Sequence, residues 1–135
     1  MSDQPITYAA DRKYTETHEW AKMEGDVAVI GITDFAQSHL GDIVYVELKP
    51  VGTSVQAHEE FGNIDSVKAS SPLYTPLSGK IEAINTELGN SPVLVNQDPY
   101  GAGWMIKVRP SNSAELNKLL DAATYQKKTE AEETH

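Results

Sequence analysis

Short β-rich runs, each broken within a few residues by turn formers, constrain this chain more than any other feature. Val27 to Ile32 is apolar and follows the turn Glu24-Gly25-Asp26. Ile43 to Leu48 alternates, and successive side chains of a strand point to opposite faces. The spacing predicts Val44, Val46 and Leu48 on one face and Ile43, Tyr45 and Glu47 on the other, with at least one face buried. Lys49-Pro50-Val51-Gly52 then turns the chain. Val55 to Val67 and Leu73 to Ile84 are two further strand-like regions, and Pro76 with Ser78-Gly79 predicts a bend or an edge in the second. Trp104, Ile106 and Val108 alternate with Met105, Lys107 and Arg109 in a last strand.

Helical signals are few. Asp34 to Leu40 reads as a short helix, with Thr33 or Asp34 as N-cap and Gly41 beyond its end. Helical turns are expected near Glu87 and after Pro92. Leu116, Leu119, Leu120 and Ala123 fall at helical spacing behind the capping-box-like Asn112 to Glu115. Many short strands with one terminal helix predict a mainly β fold, a sandwich or flattened barrel. At 135 residues one domain is the natural prior. The polar residues 1–12 read as a tail, 13–126 as the domain, and 127–135 as a charged tail that frays.

Charge and composition exclude several functions. The formal net charge is -9, which repels phosphate backbones and disfavours nucleic acid. Partners with basic docking surfaces suit it better. No run approaches the roughly 20 apolar residues that span a bilayer, so no membrane role is expected. Met1-Ser-Asp-Gln-Pro-Ile6 has neither the charged start nor the apolar core of a secretion signal, which favours a soluble interior compartment. The absence of cysteine removes disulfides and thiolate chemistry. Any dithiol chemistry must come from an attached group. One small core accounts for the apolar positions, so a monomer is expected.

Catalytic constellations are equally sparse. His18, His39, His58 and His135 are scattered, and no zinc-protease pair exists. No Gly-x-Ser-x-Gly elbow appears. Gly101-Ala-Gly103 is a turn rather than a phosphate loop, and Glu59-Glu60 is a solvated face. Lys68 remains, in Asp65-Ser66-Val67-Lys68-Ala69 between two strand-like regions. By periodicity alone it is an ordinary surface lysine of a hairpin. Its flank argues for more. A turn serving solubility more often uses Asn-Gly or Asp-Gly, whereas here small apolar residues bracket the lysine, a flank that a modifying enzyme can read.

Asp65-Ser-Val-Lys68-Ala resembles the lipoylation loop of glycine cleavage system H proteins, usually Glu-Ser-Val-Lys-Ala. The resemblance extends, in order, through Tyr14 to Trp20 with its His18-Glu19-Trp20, Val29-Ile-Gly-Ile-Thr-Asp34, Ala36-Gln37, Leu40-Gly41-Asp42 and Val44-Tyr-Val-Glu-Leu48. It continues through Tyr74-Thr-Pro76, Ser78-Gly79, Val93-Leu-Val-Asn96, Asp98-Pro-Tyr-Gly101, Gly103-Trp104, and Leu119-Leu-Asp-Ala122 with Tyr125. It covers roughly residues 8 to 126.

The resemblance implies a lipoyl-domain-like barrel-sandwich hybrid of two small sheets, with short helices and a C-terminal α-helix. It implies a carrier rather than an enzyme, with lipoate in amide linkage to Lys68 as a swinging arm. Asp65, Ser66, Val67 and Ala69 would be the loop that the attaching enzyme reads, a lipoate ligase or a lipoyl/octanoyl transferase. A pyridoxal-phosphate glycine decarboxylase would load the arm with the aminomethyl group of glycine. A tetrahydrofolate-dependent aminomethyltransferase would unload it, and dihydrolipoamide dehydrogenase would reoxidise it. Glu19 and Thr17 would line the cleft for the carried amine; a plain hydrogen bond is the competing role for Glu19. The setting would be the bacterial cytoplasm, or the mitochondrial matrix for a processed eukaryotic protein, with the former favoured.

Two positions depart from the family's pattern. Asp65 replaces the usual Glu, and Pro72 stands where an aspartate is common. Competing readings are an H-like protein serving as lipoyl donor, a lipoyl domain of a 2-oxoacid dehydrogenase complex, and an unmodified interaction module. The usual Asp-Lys-Ala flank of the second is absent here.

Overall fold

The computed structural model describes residues 6–133. His135, the first five residues of the expected N-terminal tail and the last two of the C-terminal tail lie outside that range. Strands β1 (Lys13–Tyr14), β2 (Glu19–Glu24) and β3 (Val27–Ile32) form an antiparallel meander, turned at Gly25 with φ 64°. Helix α1 (Asp34–Leu40) follows, and the Thr33 side chain caps it by accepting the Ala36 N–H. Next come β4 (Ile43–Leu48), β5 (Ser54–Val55), β6 (Glu60–Ser66), β7 (Ser70–Tyr74) and β8 (Gly79–Ile84). A 3₁₀ turn at Thr86–Gly89 and the short α2 (Leu94–Gln97) precede β9 (Ile106–Pro110).

Among the described residues these strands make two antiparallel sheets, a six-stranded one ordered β1-β2-β3-β9-β8-β5 and a three-stranded one ordered β4-β6-β7. The mainly β architecture expected from the turn spacing is therefore present. The break at Pro76 to Gly79 has a clear physical role, because it carries the chain from β7 in one sheet to β8 in the other.

The core lies between the sheets, built from Ile30, Ile32, Phe61, Ile64, Leu73, Leu77, Ile81, Met105 and Ile106. At about 25 cal/mol per Å² of apolar surface removed from water, such burial dominates what holds the sheets together. Within the smaller sheet Gly62 lets β6 lie close against β4, since a Cβ there would lie 2.2 Å from the Glu47 carbonyl oxygen. A second, aromatic cluster packs Tyr14, Trp20, Val29 and Tyr125, with the Tyr14 and Tyr125 rings stacked at 4.6 Å.

Three elements differ from expectation. In β4 the register shifts between Ile43 and Tyr45, a bulge that puts one extra residue into the strand. Ile43 and Val46 are buried, while Val44 and Tyr45 are each 53% exposed. Strict alternation had placed Val44 with Val46.

The C-terminal helix also starts later. Residues Ser113–Lys118 form a 3₁₀ segment, Leu120 bridges back to Tyr14, and α3 runs Ala122–Glu133. The bridge forces extended backbone where the helical stripe was read. The helix then continues through most of the segment expected to fray, held by Tyr125 and Thr129.

Residues 7–12 do not hang free either. The Arg12 guanidinium stacks on Trp20 at 4.6 Å and donates to the Tyr100 carbonyl at 2.9 Å. The Thr7 N–H donates to Asp34 Oδ2 at 2.7 Å. A tail read as polar thus covers the aromatic cluster.

Candidate functional site

Lys68 stands at the apex of the turn between β6 and β7 and is exposed. The turn is closed from within by Ser66. Its N–H donates to the Ala69 carbonyl at 2.8 Å, and its hydroxyl accepts the N–H of Ala69 at 3.1 Å and of Lys68 at 3.3 Å. A hydroxyl that satisfies turn amides is a recurrent way to hold such a bend. Val67 is tied down separately, its N–H donating to the Asp42 carbonyl at 3.0 Å. Gly41, the C-cap of α1 at φ 82°, lies beneath; a Cβ there would be 3.9 Å from Lys68 Cε and 4.0 Å from Val67 Cγ2. Two segments therefore fix the direction of one lysine, and no ion pair holds its amine among the described residues.

Asp65 sits at the root of the hairpin. Its Oδ1 accepts from Ser70 Oγ at 2.6 Å and Asn63 Nδ2 at 2.9 Å, and Asn63 also donates to Ser70 at 2.8 Å. Asp65 and Ser70 are direct partners across β6 and β7. The short aspartate side chain thus matches a short cross-strand partner. Ala69 and Val67 are exposed on the same turn, Val67 at 69%.

Glu19 lies in a different element and is only 2% exposed. The turn before it is tight. Thr15 N–H donates to the Glu19 carbonyl at 2.9 Å, His18 N–H donates to the Thr15 carbonyl at 3.1 Å, and His18 takes a left-handed φ of 74°. That geometry costs a non-glycine residue about 1 kcal/mol and turns Glu19 inward. Oε1 of Glu19 accepts from the hydroxyls of Thr15, at 2.9 Å, and Thr17. Oε2 accepts the Tyr74 N–H at 3.1 Å. Burial pushes this carboxyl up to about 7, against the opposing pull of the hydrogen bonds from Thr17, Tyr74 and Thr15.

Glu19 and the lysine hairpin are joined by β7. The strand begins with Ser70, two residues after Lys68, and ends with Tyr74, whose N–H holds Glu19. Its span of four residue steps is about 13 Å at the usual rise. It is the edge of its sheet, where Pro72 removes no ladder bond that the fold needs. Thr15 and Tyr74 were not singled out from sequence. Thr15, Thr17 and Glu19 meet because the turn over residues 15–18 folds back on itself, which no sequence period marks. A backbone N–H such as that of Tyr74 leaves no mark in a sequence.

The histidines serve the fold. His18 Nδ1 shares a hydrogen bond of 2.8 Å with the Tyr125 hydroxyl, which also meets Thr33 Oγ1 at 2.7 Å. Burial holds His18 below its ordinary value, with the nearby Glu132 carboxylate pulling the other way. His39 Nδ1 meets the Phe35 carbonyl at 3.0 Å, and exposed His58 turns the chain at φ 71°. Among the described residues no three His, Asp or Glu side chains are grouped to hold a metal ion, and no helix is long and apolar enough to cross a membrane.

A two-sheet, mainly β fold with an exposed lysine at the apex of one hairpin is the scaffold of a small carrier domain. Comparison with known proteins gives the family. The sequence model described as glycine cleavage H-protein matches residues 12–132. The glycine cleavage system H protein of Carboxydothermus hydrogenoformans is 55% identical over 122 residues, covering 90% of this chain and 94% of that one. The mitochondrial H protein of Oryza sativa subsp. indica is 50% identical over 123 residues, covering 91% and 75%. The crystal structure of an H protein from Mycobacterium marinum superposes with a TM-score of 0.83 at 38% identity, covering 90% of this chain and 98% of that one. This chain belongs to the glycine cleavage H-protein family, the lipoyl carriers of the glycine cleavage system.

Proposed function

We propose that Lys68 is the attachment point for lipoate and that the chain is a non-catalytic carrier working between separate enzymes. The observation that carries this reading is the apex lysine, exposed and aimed by a turn that Ser66 closes from within. The site fits the group. Lys68 is exposed, its stem lies over a glycine, and the flanking side chains are those of Val67 and Ala69. When bound, lipoate supplies a disulfide that takes up the aminomethyl group of glycine and a dithiol that is later reoxidised. Acylation also removes the lysine charge, which lowers the cost of entering an apolar cleft.

Asp65, Ser66, Val67 and Ala69 hold the shape that a lipoate ligase or a lipoyl/octanoyl transferase reads. The users of the arm are a pyridoxal-phosphate glycine decarboxylase, a tetrahydrofolate aminomethyltransferase and dihydrolipoamide dehydrogenase. Higher identity to bacterial than to plant relatives supports a bacterial cytoplasmic setting.

Glu19 and Thr17 form the receiving end for the carried amine. A carboxylate offers about four lone-pair sites, and Thr15, Thr17 and Tyr74 occupy three. Thr17 is exposed and its hydroxyl covers the buried carboxylate, so a cation takes a place on Glu19 when that hydroxyl swings aside. Edge strand β7 offers an open track from Lys68 toward this point.

Incubation with lipoate, ATP and a lipoate ligase tests the attachment. Intact mass should show one lipoyl group per chain, mapped to Lys68 and absent from Lys68→Arg. Modification elsewhere, or none on a folded chain, refutes the reading.

A further inference from the structure

The bulge in β4 leaves an apolar patch that the core does not need. Val44 and Tyr45 are consecutive in a strand, yet both face solvent at 53% exposure. Val67, at 69%, is the most exposed large apolar side chain among the described residues. The three are neighbours. Tyr45 pairs with Asp65 and Ile43 with Ser66 across the sheet, and the Val67 N–H is bonded to the Asp42 carbonyl, two residues before Val44. Acidic side chains border the patch. Glu47 lies two residues along β4 from Tyr45, Asp65 is directly opposite Tyr45, and Asp42 is exposed beside Val67. Within β4, β6, β7 and the Lys68 turn, Lys68 is the only basic residue. Acylating its amine leaves these strands and the turn without a cationic side chain.

We propose that Val44, Tyr45 and Val67 form the surface on which the enzyme that loads the arm docks. That enzyme presents an apolar recess rimmed by Lys or Arg at the mouth of its active site. The charge pattern suits an enzyme that acts on the modified arm. A cationic rim meets three carboxylates opposed by the one ammonium of Lys68, and making that amine an amide removes the opposition, so the patch favours the modified carrier. An apolar centre inside a charged rim is the usual anatomy of a specific interface. The bulge is the device that makes it, since regular pleating would have turned Val44 away from Tyr45. This inference rests on the carrier function proposed above.

The test is the KM of a glycine decarboxylase for the lipoylated carrier, each protein fully modified by intact mass. Val44→Ser/Tyr45→Ser should raise KM about tenfold with kcat retained, the scale of losing one good aromatic contact. Val67→Ser should raise it less but in the same direction, and added salt should raise the wild-type KM. Val51→Ser, another exposed valine in a distant turn, should leave KM unchanged. Equal KM for wild type, Val67→Ser and the double variant overturns the patch while leaving the carrier function intact. A lipoylated wild type that supports no decarboxylation overturns both.

Discussion

Replacing Glu19 by Gln isolates the burial of one carboxyl. Glu19 is nearly inaccessible, and its carboxyl rises from an ordinary value of 4.5 to about 7. Because the folded value lies above the unfolded one, the native state binds more protons between those pH values. Stability is then fully present below about 4.5 and declines as pH rises toward 7. At 1.36 kcal/mol per pH unit, the swing is about 3 kcal/mol. Glutamine keeps the shape and stays neutral. Its oxygen can accept the Tyr74 N–H while its amide donates to the threonine hydroxyls. Urea unfolding followed by circular dichroism, from pH 4 to pH 8, should show the variant gaining on the wild type by about 3 kcal/mol across that range. His18 contributes an opposite slope, since burial lowers it and stability falls as acid protonates the unfolded chain. It is common to both proteins and cancels in the difference. Parallel pH profiles for wild type and Glu19→Gln would refute the claim that a desolvated carboxyl titrates here.

Two other perturbations follow from the geometry. Ser66→Ala removes the hydroxyl that serves the Lys68 and Ala69 amides; it should cost about 1 kcal/mol and slow acylation of Lys68, read by ligase kinetics with chemical-shift changes confined to residues 65–70. Tyr125→Phe deletes the hydroxyl joining His18 to Thr33; it should destabilise by about 1–2 kcal/mol, with hydrogen exchange rising first in α3.

The main architecture was legible because its signals are local. Thr33 caps α1 from its own side chain, Pro76 and Gly79 break a strand where two sheets diverge, and β3 and β9 carry their apolar runs openly. What escaped depended on distant partners. Val44 follows the alternation in sequence, but its register is set by β6 through a bulge. The helical spacing of Leu116 to Ala123 is genuine, yet the pairing of Leu120 with Tyr14 wins because it closes a sheet edge. The candidate site divides in the same way. Lys68 is visible from its flank because the turn is made by its own neighbours. Glu19 was identified by resemblance alone, since its burial arises from the left-handed His18 and from Tyr74, 55 positions away.

The hydroxyl of Ser66 also shapes how an attached arm searches space. A tether rooted in a flexible loop sweeps a full sphere about its anchor. Here the turn holds the anchor through the Ser66 hydrogen bonds and the sheet blocks one side, so the tether end is confined to the outer hemisphere. Halving the accessible volume roughly doubles the local concentration of the tether end in front of the hairpin. Loosening the turn would give that advantage away without touching the lysine itself.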